Sequence, residues 1–97
     1  MPARSESEAD PEHGTLRLRG SIDAASAPAL LAQWAGRAAT LRRIDLSAVT
    51  RIDSAGVALV QELLERARAA GGQATLTQVP DRYLQVCKAH RIDHGTA

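Results

Sequence analysis

The chain contains no phenylalanine, and Trp34 and Tyr83 are its only aromatic residues. Its core must therefore be filled by Leu, Ile, Val and Ala, and a base-stacking platform for single-stranded nucleic acid has almost nothing to build on. The single cysteine, Cys87, excludes an internal disulfide and fits a reducing compartment. No stretch approaches the roughly 18 consecutive apolar residues of a membrane span, so direct membrane insertion is not expected. Neither sign of charge dominates: 12 Lys and Arg face 11 Asp and Glu, a formal net charge of +1. That balance describes an ordinary solvated surface rather than a nucleic-acid footprint. A Walker-type Gly-rich loop and a Gly-x-Ser-x-Gly elbow are both missing, which leaves nucleotide hydrolysis and acyl transfer without their usual machinery.

What is present suffices for one domain. With 97 residues, 44% of them hydrophobic, the chain should bury roughly 60–65% of its unfolded surface. Residues 1–13 are polar, acidic-leaning and without periodicity. They are expected to be a disordered tail and not a secretory signal, with the domain running over 14–97 in the cytoplasm. Thr15 to Gly20 alternates, Leu16 and Leu18 against Arg17 and Arg19, as a strand covered on one face does. A first helix should start near Ser26, which can cap it, with Pro28 in its first turn. Its apolar stripe is Ala27, Leu30, Leu31, Trp34, Ala38 and Leu41. Arg42 to Leu46 forms the next strand. A second helix spans about Ala55 to Ala70 and stops at Gly71-Gly72. Gln73 to Val79 is a third strand. Pro80 opens a last helix that runs to His90, with Tyr83, Leu84 and Cys87 buried. Strands alternating with helices predict an α/β fold, a mixed and mostly parallel sheet with helices packed against it.

The second helix carries the most informative pattern. Val57, Val60, Leu63, Leu64 and Ala67 form its apolar face. Ser54, Ala58, Gln61, Glu62, Glu65 and Arg68 form the other, with offsets of 4, 7, 8, 11 and 14 residues from Ser54. Ser54 therefore heads a solvent stripe, with Asp53 or Ser54 as the helix N-cap. Gly56 would let the helix begin close to the sheet. Such a stripe suits a plain solvated surface, and it equally suits a partner lying flush on small residues.

Other constellations argue for less. Cys87-x-x-His90-x-x-x-His94 has zinc-like spacing but only three soft ligands, and Cys87 reads as core-facing, so no metal site is assigned. Ser54 has no histidine base in evident reach, so no catalytic residue is assigned and no cofactor is called for. Arg17, Arg19, Arg37, Arg42, Arg43 and Arg51 read as solubilising, edge-protecting charges, or as contacts for an acidic partner or anionic headgroups.

Ile44-Asp45-Leu46-Ser47-x-Val49, then Ile52-Asp53-Ser54-Ala55-Gly56-Val57, resembles the signature of STAS domains, small protein-binding modules. The similarity extends over about residues 14–92 and includes the strand from Leu16 to Asp23. Within that family the chain is similar to the small cytoplasmic STAS subunits of lipid-asymmetry (Mla) ABC transporters. The features shared with them are Leu30-Leu31-x-x-Trp34, Gln73 to Val79, and Asp81-Arg82-Tyr83-Leu84. The resemblance implies a non-catalytic subunit that binds the transporter's ATPase and, through it, a membrane permease. The implied surface is Ser54 with Asp53, Ala55, Ala58, Gln61, Glu62 and Glu65. A threonine is common in that subfamily where Ser54 stands. In the related anti-sigma factor antagonists, the matching serine is phosphorylated by an anti-sigma kinase, which gives the alternative reading.

Overall fold

A computed structural model of the protein describes residues 6–10 and 14–90. Four strands form one sheet in the order β1-β2-β3-β4: β1 Glu6–Asp10, β2 Thr15–Ile22, β3 Arg43–Ile52 and β4 Thr75–Thr77. The last three are parallel, and β1 pairs antiparallel to β2. Helices α1 (Ala27–Trp34), α2 (Ser54–Ala69) and α3 (Asp81–His90) supply the second layer. Leu16, Leu18, Ile44, Leu46 and Leu76 face that layer and are buried, together with Val57, Val60, Leu63, Leu64 and Ala67 of α2. Arg17, Arg19 and Arg43 on the opposite side are exposed. The fold is the expected α/β arrangement, and its core is almost wholly aliphatic.

Several boundaries differ from those the sequence suggests, each for a physical reason. Within the expected tail over residues 1–13, Glu6–Asp10 form β1. Main-chain pairing to an open strand edge needs no apolar repeat, so the composition gave no sign of it. Residues 1–5, 11–13 and 91–97, and with them His94, lie outside the described residues. β3 runs on to Ile52 because two register shifts let its ten residues follow the eight of β2. At the first shift the Ser47 N–H donates to Asp45 Oδ1 at 2.8 Å, giving a donor near the bulge a partner. β4 is short because Gln78 has a φ of 54°, which turns the chain out of the strand.

α1 ends at Trp34, and the chain continues as a 3₁₀ segment, Ala35–Thr40, that still buries Ala38 and delivers Leu41 to the core. Ser26 does not cap α1 through its side chain. Its hydroxyl accepts from the Asp23 N–H at 3.0 Å and donates to the Ser21 carbonyl at 3.1 Å. Asp23 Oδ1 takes the N–H groups of Ala25 and Ser26 at 3.0 and 3.1 Å, so the aspartate orders the turn into the helix. α2 stops as the sequence predicts. Gly71 has a φ of 88°; its N–H reaches the Arg68 carbonyl, and that of Gly72 reaches the Ala67 carbonyl. This pair of bonds is the Schellman arrangement.

On the helix-free face, Arg17 Nε donates to Asp45 Oδ2 at 3.2 Å. Burial pushes the Asp45 carboxyl up, but hydrogen bonds from Ser47 and the Arg17 charge outweigh it and hold the group below its ordinary value. A depressed carboxylate stabilises the fold above its unfolded pKa, and that contribution disappears as pH falls through the folded value. The gap in stability between wild type and Asp45→Asn is therefore expected to shrink below about pH 4. Urea titrations at neutral and acidic pH check this; a gap independent of pH would contradict it.

Candidate partner-binding site at the head of α2

The C-terminal ends of β2 and β3 converge on the N-terminus of α2. Asp53 is extended, with φ −120° and ψ −171°, and its side chain accepts from the Gly56 N–H at 3.0 Å. Its carbonyl takes the Val57 N–H at 2.9 Å, while its own N–H reaches the Ile22 carbonyl at 3.3 Å. Asp53 is thus the cap, and it ties the helix start to the sheet. Ser54 is the first helical residue, and it is exposed. No hydrogen bond from its hydroxyl is found among the described residues. The alternatives that the sequence leaves open, Asp53 or Ser54 as cap, resolve in favour of Asp53, which leaves the Ser54 hydroxyl outside the cap.

The other predicted surface residues divide. Ala58 and Glu65 are exposed along the stripe below Ser54, and Ala55 is half-buried beside it. Glu62 is half-buried and accepts from Arg66 Nε at 2.9 Å, an i,i+4 ion pair. Gln61 is diverted inward. Its amide donates to the Tyr83 hydroxyl at 2.7 Å, joining α2 to α3. Tyr83 is fully buried, and burial pushes its phenol well above the ordinary value, against the Gln61 hydrogen bond that lowers it. Tyr83→Phe should cost about 1 kcal/mol, because the half-buried Gln61 amide would have to find water instead. Urea denaturation checks this, and an unchanged midpoint would show that the bond contributes nothing.

Leu84, expected to be buried, is the exposed large hydrophobic among the described residues at 42%. Val86 takes the inward place instead, beside Tyr83 and Cys87. The helical period fits either set, so the sequence offered no way to choose. Cys87 is core-facing as predicted. Among the described residues no group of three His, Cys, Asp or Glu residues could hold a metal ion.

Beside the cap lies an open cleft of about 660 Å³, with Asp23, Arg51, Asp53, Pro80 and Arg82 among its walls. It is not legible in the sequence, because Asp23 follows β2, Arg51 and Asp53 flank the end of β3, and Pro80 and Arg82 lie at the start of α3. Its two carboxylates already accept backbone N–H groups. Its two arginines balance them in charge, so the cleft has no strong preference for an ion of either sign.

An Asp-capped helix with an exposed first serine, set against a mostly parallel sheet, fits the STAS resemblance of the sequence. The chain belongs to the STAS family described as "Mlab, STAS domain", whose model matches residues 5–94. The intermembrane phospholipid transport system binding protein MlaB of Escherichia coli (strain K12) is 33% identical over 81 residues, 80% of each chain. The protein of the same name from Shigella flexneri matches to the same extent. In fold, the chain is similar to the anti-sigma factor antagonist SpoIIAA in its unphosphorylated form. The TM-score is 0.67 at 19% identity, covering 88% of this chain and 82% of that one. Among the described residues no helix is long and apolar enough to cross a membrane.

Proposed function

We propose that this chain is a non-catalytic STAS subunit of a bacterial phospholipid-transporting ABC system that maintains outer-membrane lipid asymmetry. In this reading it works at the cytoplasmic face of the inner membrane. It docks on the ATPase through the head of α2 and reaches the permease only through that ATPase. The kinship with MlaB supports the transport system. The observation that carries the docking surface is Ser54, exposed and with its hydroxyl outside the cap that Asp53 supplies. Ala58 one turn below leaves room for a partner backbone to come close. Ser54, Ala55, Ala58 and Glu65 form the contact; Asp53 and Gln61 hold it in shape, and Glu62 lies at its margin. Mixing the purified chain with the ATPase subunit of its own transporter should give a stable complex on size exclusion. Separate elution at micromolar concentrations would overturn the reading.

The exposed Ser54 hydroxyl also favours a second reading, an anti-sigma factor antagonist switched by phosphorylation. A phosphoryl group there would add about −1.5 to −2 charges at a helix N-terminus, which tolerates them, while a partner surface would not. Incubation with an active anti-sigma kinase and ATP, followed by intact mass, separates the readings. One phosphate on Ser54 supports the switch, and none supports the transporter subunit.

A further inference from the structure

The helix-free side of the sheet takes no part in the proposed ATPase contact, yet its charge is arranged. On β2 and β3 it carries exposed Arg17, Arg19 and Arg43, with Asp45 paired to Arg17. β1 itself reads Glu6-Ser7-Glu8-Ala9-Asp10, acidic at every second position. The register sets Glu6 opposite Arg19 and Glu8 opposite Arg17. Directly opposed residues of an antiparallel pair belong to one face of the sheet. β1 therefore brings acidic positions to the face on which β2 is basic. At the intervening positions Ser7 and Ala9 stand opposite Leu18 and Leu16, both fully buried. Serine and alanine have little apolar area to bury, so the pairing of this strand rests chiefly on its main-chain ladder. Edge strands that bury little apolar area belong to the low-stability end of a fold.

We propose that β1 is an exchangeable strand, and that the β2 edge beneath it is a docking site for an extended acidic segment of a partner protein. The fitting segment has acidic residues at alternate positions and β-branched apolar residues between them. The acidic residues would replace Glu6 and Glu8 opposite the arginines. The apolar ones would meet Leu16 and Leu18 where β1 offers only Ser7 and Ala9. A second copy of this chain is a poorer occupant. Its β1 is no better than the resident strand, which a four-residue connection keeps at high effective concentration.

The test uses the full chain with two labelled peptides, Glu-Val-Glu-Ile-Asp and its neutral counterpart Gln-Val-Gln-Ile-Asn, read by fluorescence anisotropy and hydrogen exchange. The acidic peptide is expected to bind at least tenfold tighter than the neutral one, and to weaken with added salt. It should deprotect residues 6–10 while leaving β3 protected. Glu6→Gln/Glu8→Gln should bind it several-fold tighter. Arg17→Gln/Arg19→Gln, checked as folded by circular dichroism, should lose it. Equal binding of the two peptides, or binding that leaves β1 protected, would overturn the proposal. So would a concentration-dependent dimer that takes up no peptide. None of these outcomes depends on whether the ATPase binds at α2.

Discussion

Gly56→Ala is expected to destabilise the domain by about 3 kcal/mol, at the upper end of overpacking costs, although alanine is the better helix former. A Cβ at this position would run into the Ile22 carbonyl oxygen and stand 2.7 Å from Ile52 Cγ1. The carbonyl has little freedom to retreat, because it accepts the Asp53 N–H at 3.3 Å. Relief would have to come from lifting the first turn of α2 off the sheet, which would also spoil the Asp53 cap. The Ser54 surface should therefore suffer along with stability. Gly36→Ala is the control: an added Cβ there meets nothing within 4 Å, and a change within about 0.5 kcal/mol is expected. Urea denaturation of both variants measures the contrast. Equal effects would show that the close approach of α2 to β2 does not limit the fold.

Ser54→Glu should remove ATPase binding, lowering affinity at least tenfold, while the domain keeps its stability. A carboxylate in the first turn of a helix is favourable by about 0.3–1 kcal/mol. Any loss of binding is then a property of the interface and not of the fold. Ser54→Ala isolates the hydroxyl. With Asp53 supplying the cap, this variant should lie within about 0.5 kcal/mol of wild type in stability. Its effect on binding then reports the contribution of the hydroxyl itself. Calorimetric titration of each variant into the ATPase, with thermal melts alongside, separates the two quantities. Destabilisation by Ser54→Ala would mean that Ser54 has a structural task after all.

Much of this architecture was legible in the residues. Alternation identified β2, helical spacing identified all five predicted core positions of α2, and Gly71-Gly72 marked its end. The Asp-Ser-x-Gly run located the head of α2 and the close approach at Gly56. Other features were hidden because they depend on partners distant in the chain. Glu6–Asp10 has no apolar pattern, since what places it is the open edge of β2. The extension of β3 rests on bulges that no local propensity announces. Gln61 fits a solvent stripe by spacing, yet the buried Tyr83 hydroxyl needs a partner and draws it inward. Leu84 and Val86 could each have been the inward residue, and only the packing of α3 against α2 decides between them.

In the proposed reading, this STAS domain works as an ATPase-bound transporter subunit through Ser54. The most direct test is a tagged pull-down from native cytoplasm and solubilised membranes, with wild type and Ser54→Glu side by side and partners identified by mass spectrometry. An ABC ATPase with its permease is expected in the wild-type sample, and both are expected to be lost from the mutant. Recovery of a small soluble ATP-binding kinase in their place, or equal recovery of the transporter by both forms, would contradict it.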